Sequence, residues 1–272
     1  MKQRNLLSRL QSNGIYYLAS ALILLLGVPL YQQLVLMPLG YSSALASSSV
    51  GNFTPYLLWI RSYSVQFIVY RALLEIAFLL LLTLPFTLFR IIVAQEILGQ
   101  QERAEETATD EPVDAEQPET DGMPAYAWRG KGFAVVAAWS GLFGLVAYIL
   151  GTLASTLYFV VVSHGVLLPN TLAMPASVLS LMTNTVGIGL LALATLFFGA
   201  IIARSGRKLW PDSWVAFGYL ALAVAALLSG SAVAVSTTPT QGQAALTSPA
   251  ILLFALWVLW MGIMLVRLKP EA

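Results

Sequence analysis

Six uninterrupted apolar runs divide this chain, and no other feature restricts its fold as strongly. They extend from Gly14 to Met37, about Val65 to Phe89, Gly132 to Val162, Ser177 to Ala203, Trp214 to Val235 and Pro249 to Val266. About 20 apolar residues rising 1.5 Å each are enough to cross the hydrocarbon core of a bilayer. The runs are continuous rather than alternating. That favours helices over barrel strands, because a helix satisfies its backbone hydrogen bonds within one segment. The expected fold is therefore all-α, a polytopic bundle of six transmembrane helices.

Composition narrows the chemistry. Apolar side chains make up 58% of the 272 residues and charged ones 10%, against about 25% charge in an average soluble domain. The mean hydropathy is +0.78. A net charge of +1 offers nothing to nucleic acid. The absence of cysteine excludes disulfides, thiolate metal sites and a cysteine nucleophile. His164 is the single histidine, so one chain cannot hold a bis-histidine haem, and no lysine lies inside an apolar run to form a retinal-type Schiff base. No nucleotide loop, zincin helix or hydrolase elbow is present. The sequence thus predicts no catalytic residues, no metal and no cofactor; the expected partners are the lipid bilayer and other membrane subunits.

Lys and Arg set the expected threading, since they stay preferentially on the cytoplasmic side. Lys2, Arg4 and Arg9 precede the first run; Arg90, Arg103, Arg129 and Lys131 follow the second; Arg204, Arg207 and Lys208 follow the fourth; Arg267 and Lys269 follow the sixth. Together these are 12 of the 14 basic residues, all on one side of a six-span path. Both termini are predicted to be cytoplasmic, in a cell membrane. Trp128, Trp210 and Trp214 stand beside these basic clusters, where amphipathic rings favour the interface. Trp59, in "PYLLWIRSY", is expected on a surface-lying segment at the outer boundary. The opening "MKQR", an apolar run and "SALAS" also resemble a signal peptide cleaved after Ala46. The run is too long for a signal core, and cleavage would leave an odd number of helices.

Three regions follow: residues 1–95 with two helices and an outer loop, a linker at 96–126, and a four-helix region at 127–272. From Glu96 to Asp121 the chain carries ten acidic residues and one basic residue. Such a stretch buries too little apolar surface to offset chain entropy, so a disordered cytoplasmic tether is expected, or a docking tail for a basic partner. No three-plus-three inverted repeat is evident.

The chemical question lies in "VYRALLEIAFLLLL", where Arg71 and Glu75 sit within the second run. A charge at mid-bilayer costs about 3 kcal/mol or more. Arg71, near the outer boundary, can snorkel; Glu75, one turn deeper, is expected to lean back onto Arg71 as an i, i+4 partner. Thr152, Ser155 and Thr156 in the third run, Thr183, Asn184 and Thr185 in the fourth, and Ser229 and Ser231 in the fifth fall at similar depth. Gly144, Gly151, Gly187 and Gly189 accompany them and would allow close helix approach. Arg71, Glu75, Thr152, Ser155, Thr183 and Asn184 are therefore the candidate polar cluster. It serves either as a cavity for a solute, headgroup or coupling proton, or as an interhelical clamp. His164 reads as a wetted helix end or an external pH sensor. Pro85 is expected to kink the second helix, Trp257 and Trp260 to pack, and "NFT" at Asn52 fits a glycosylation acceptor.

Three stretches carry a family resemblance. "YRALLEIAFLLLLTL", "RSGRKLWPDSWVAFGYLALAVAALLSG" and "LFALWVLWMGI" resemble segments of the uncharacterised membrane proteins grouped as domain of unknown function 4386. The acidic linker and the lack of a glutamate in the last helix depart from that pattern. The resemblance implies a six-helix fold and supplies no activity. The expected role is non-enzymatic: binding a small ligand or lipid, or acting as an accessory subunit of a membrane complex. A small proton-coupled permease using Glu75 is the alternative, and an intramembrane enzyme the third reading.

Overall fold

The computed structural model describes residues 2–49, 53–110, 125–165, 178–237 and 241–268. All regular structure among them is helical. The helices are α1 (Lys2–Leu22), α2 (Val28–Tyr31), α3 (Tyr41–Ser49), α4 (Thr54–Ser62), α5 (Ser64–Leu79), α6 (Leu84–Asp110), α7 (Ala125–His164), α8 (Ile188–Ser205), α9 (Asp212–Thr237) and α10 (Gln241–Val266). Three π-helical stretches, Ile23–Gly27, Gln32–Leu36 and Leu181–Gly187, interrupt the first and fourth apolar segments.

Six segments among the described residues are long and apolar enough to cross a membrane: Arg9–Leu36, Ser64–Ile97, Gly132–His164, Val178–Ser205, Asp212–Ala234 and Pro249–Val266. Each coincides with one predicted run. Outward faces are as apolar as the core; Leu34 is 71% exposed, Leu157 58% and Phe143 56%. The spans close into a ring in which α1 packs on α10, α10 on α9, α9 on α8, α8 on α7, and α7 on α5 and α6, which return to α1. Phe78, Phe198, Phe217, Phe254 and Trp257 fill the centre, with Phe217 and Trp257 stacked at 4.9 Å.

Glycines set the closest crossings. A Cβ on Gly144 of α7 would meet Gly187 O and Leu191 N at 2.9 Å, and one on Gly199 of α8 would meet Gly218 O at 2.8 Å. Gly14 and Gly262 do the same for α1 and α10. Gly189 does not belong to this set: its nearest neighbour, Ala232 Cβ, is at ordinary contact distance, 3.9 Å. Ser229 likewise departs from expectation. It faces outward while Ser231 is buried, because two residues along a helix turn the side chain by about 200°.

The second span breaks between Leu79 and Leu84, ahead of Pro85. Proline has no N–H to offer the Leu81 carbonyl, which accepts instead from Leu84 N–H at 2.9 Å. Upstream, Leu81 N–H turns to Phe78 O at 3.1 Å and so leaves the Ala77 carbonyl without its usual partner. Ser20 of α1 fills the gap, donating Oγ–H to Ala77 O at 2.8 Å.

One end of the ring gathers the basic residues. Gln11 Nε2 donates to Leu268 O at 2.9 Å, Asn13 Nδ2 to Thr87 Oγ1 at 3.0 Å and Gln95 Nε2 to Leu209 O at 2.7 Å. These contacts hold the start of the first span, the ends of the second and sixth, and the α8–α9 turn together, so Arg9, Arg90, Arg204 and Arg267 share that basic end.

One sequence expectation is corrected here. Residues 101–110 continue α6 as helix where a disordered linker is expected. Composition denies this stretch a core of its own, but lengthening an existing helix avoids the costly nucleation step. The rest of the acidic segment, 111–124, and the Asn52 glycosylation triplet lie outside the described residues. Trp59 sits on a short helix before the second span, α4; its ring is buried (7% exposed), and its Nε1–H donates to Leu39 O at 2.7 Å.

Candidate functional site

Arg71 and Glu75 lie on one flank of α5, both half-buried. The expected ion pair between them does not form: the one salt bridge among the described residues joins Arg207 and Asp212, 2.7 Å apart on the exposed basic end. Arg71 reaches across instead. Its Nη2 donates to Ser155 Oγ at 3.0 Å, and its guanidinium carbon lies 5.5 Å from the centroid of the Phe67 ring, within cation–π range. Ser155 can accept because its own proton goes to Thr152 O at 2.9 Å. A partner on another helix thus takes the place of the i, i+4 neighbour.

Arg71 Nε and Glu75 Oε1, one turn apart on α5, have no hydrogen-bond partner among the described residues and are shielded from solvent; the same holds for Thr152 Oγ1 of α7, Thr185 Oγ1 of the fourth span and Trp257 Nε1. Buried polar atoms are paired in the great majority of cases, so the two orphans on one turn of α5 mark a place where further hydrogen-bonding groups belong.

The fourth span contributes less than expected. Thr183 presses against Gly151 of α7, but its Oγ1–H is turned to Leu179 O at 2.8 Å. Asn184 is bound to its own helix, Nδ2 donating to Ser180 Oγ at 3.2 Å. Both lie in the π-helical stretch Leu181–Gly187, and neither hydrogen-bonds Arg71 or Glu75. The structure therefore joins Arg71, Ser155 and Thr152, keeps Glu75 one turn away on the same flank, and leaves Thr183 and Asn184 bonded within their own helix.

An aromatic wall that sequence reasoning missed closes the far end. Tyr41 of α3 lies 5.0 Å from Trp59, 6.0 Å from Tyr70 and 6.4 Å from Tyr56 by ring centroids. Tyr56 in turn meets Phe67 at 6.3 Å and Phe159 at 5.7 Å. Burial pushes the Tyr56 phenol above its ordinary value and the Tyr41 phenol well above it, while the nearby Arg71 charge pulls both partly back. The sequence signal available was the density of Tyr and Trp between 41 and 70, which reads equally well as interface decoration.

A second network, also unforeseen, fastens the break in the second span. Thr87 Oγ1 gives its single proton to Thr83 O at 2.9 Å, so it accepts from Asn13 Nδ2 at 3.0 Å and from the Tyr17 hydroxyl at 2.8 Å. The Tyr17 oxygen is then left to accept from Thr83 Oγ1 at 3.0 Å. Every hydroxyl proton is used. The threonines flanking Pro85 in "LTLPFT" were the visible clue.

Other features are plain. His164 is exposed at the end of α7, its Nδ1 2.9 Å from Val160 O. Trp257 is buried at the bundle centre beside a cavity of about 20 Å³, also lined by Pro85, Gly141, Thr195 and Phe198. That volume admits about one water and no substrate. No group of three or more His, Cys, Asp or Glu side chains gathers among the described residues. Chemically, the Arg71 level offers an unused cationic donor and an unused carboxyl oxygen, which suits it to binding an anion or moving a proton. No family model, no curated protein and no solved structure matches this chain.

Proposed function

We propose that this is a multi-pass protein of the cell membrane, both termini cytoplasmic, that binds a small ligand or lipid without chemically altering it. It acts alone or as an accessory subunit of a membrane complex. Threading rests on the basic end, since Lys and Arg are retained on the cytoplasmic side. Kinship with the family of unknown function 4386 belongs to the same proposal, rests on the three stretches quoted above and adds no activity.

The observation that carries binding is the pair of partnerless atoms on one turn of α5, Arg71 Nε and Glu75 Oε1. Ionisable groups inside membrane bundles mark functional sites by default, and a merely structural clamp would use up its donors, as the Tyr17–Thr87 network does. The test is Arg71→Gln in gently extracted protein, followed by native mass spectrometry. Loss of a co-purified low-mass species from a variant that remains folded supports binding. A lowered Tm with the species still present makes the cluster a clamp.

The permease reading has one observation of its own. The second span is broken four residues beyond Glu75, and discontinuous helices recur at transporter binding sites. Proton-coupled uptake that disappears in Glu75→Gln, with a cysteine at position 75 labelled in turn from both sides, would move the assignment to transport.

A further inference from the structure

The ligand's chemical class follows from how Arg71 can be reached; this step rests on the binding role proposed above. Approach along the bundle axis from the far end is filled. Phe67, Ile60 and Leu36 are each 0% exposed, Phe67 covers the guanidinium, and the Tyr41–Tyr56–Trp59 cluster stacks above it. The flank of α5 is open instead. Arg71 and Glu75 are half-buried there, and Ile68 and Leu79, on the same stripe at i, i+3, i+7 and i+11, are 44% and 48% exposed. In a membrane that flank faces acyl chains, so what reaches Arg71 enters sideways and brings an apolar body with it.

The head of such a ligand is set by the donors that await it. Arg71 holds no carboxylate within salt-bridge distance among the described residues and keeps Nε unused. Guanidinium geometry matches the oxygen pairs of carboxylate and phosphate. A cation partly withdrawn from water with no counter-charge is unfavourable, and an anionic head relieves that. Glu75, one turn further along the stripe, contributes an oxygen that accepts a hydroxyl or takes a shared proton.

We infer that Arg71 anchors the head of an anionic amphiphile, a carboxylate or phosphate on an acyl chain, that enters laterally along the flank of α5 beside α7.

The test uses full-length protein in detergent with four probes: palmitate, methyl palmitate, phosphatidylglycerol and phosphatidylcholine. Native mass spectrometry reads occupancy. Retention of palmitate over its ester, or of phosphatidylglycerol over phosphatidylcholine, by about tenfold or more supports the inference. The first result points to a free fatty acid and the second to an anionic phospholipid. Arg71→Gln should abolish the preference; because the acid-to-ester comparison is made on the wild-type chain, an unstable variant does not remove the test. Equal retention of acid and neutral forms overturns the ligand class and leaves the binding role standing. Retention of none of the four, with no endogenous species released, overturns both.

Discussion

Arg71 Nη2 donates to Ser155 Oγ at 3.0 Å, across 84 positions of sequence, while the carboxylate four residues away in its own helix stays beyond salt-bridge reach. α5 and α7 are thereby tied at the level where both carry orphaned polar atoms. Interhelical hydrogen bonds in membrane proteins average about 0.6 kcal/mol and reach about 1.7 kcal/mol. Ser155→Ala should destabilise by an amount in that range. A double-mutant cycle with Arg71→Gln, read from thermal unfolding in detergent, should return a coupling of the same size, and a coupling of zero would show that the contact does not hold the helices.

The helix break depends on α1. Ser20→Ala leaves the Ala77 carbonyl bare, and Tyr17→Phe leaves Thr87 with one donor fewer. Each change should lower stability by about 1 kcal/mol and accelerate amide exchange between residues 80 and 84 before any other part of the second span. Exchange that rises uniformly along α5 and α6 would argue against a local lock.

Helix spacing gives a paired prediction. Gly144→Ala must push α7 away from the backbone of the fourth span, whose Gly187 O and Leu191 N lie 2.9 Å from the new Cβ; overpacking of this kind is destabilising by about 1–3 kcal/mol. Gly230→Ala meets nothing within 4 Å and should be neutral, or stabilising by about 0.5–1 kcal/mol through helix propensity. Denaturation of the two variants side by side checks the contrast.

Alkaline pH should loosen the far end first. The folded-state values of the Tyr41 and Tyr56 phenols are raised, so their contribution is complete below the unfolded value near 10. It falls as pH climbs from there towards the folded values. Absorbance titration should show late-ionising tyrosines, and Tyr41→Phe with Tyr56→Phe should flatten the stability loss above pH 10.

Threading is checked by reporters. A cytoplasm-active fusion after Lys269 should be active, and an externally active one inserted after Gly165 should be active too. The reverse pattern would invert the bundle.

The six spans were legible in the sequence because hydrophobic length is a local property. Each run carries it alone, and the span ends moved by only a few residues except where α6 runs on. The helix break was legible at Pro85 for the same reason, since a missing N–H is a fact about one residue. Arg71, Glu75, Ser155 and Thr152 were also visible as polar residues at a shared depth. Their partners were not. In a span that is apolar on every side, no amphipathic period marks the inward face, and lipid and core offer the same apolar surroundings. Which flank of α5 meets which flank of α7 was therefore decided by packing: glycines that admit a neighbouring backbone, and a carbonyl at Ala77 that needed a donor from α1. Tertiary structure alone turned Arg71 towards Ser155, packed Thr183 against Gly151 of α7, and placed Phe67 and the Tyr41 cluster over the guanidinium. Side-chain hydrogen bonds go to whichever groups the ring of helices brings within 3 Å or so, and sequence spacing knows only the neighbours on its own helix.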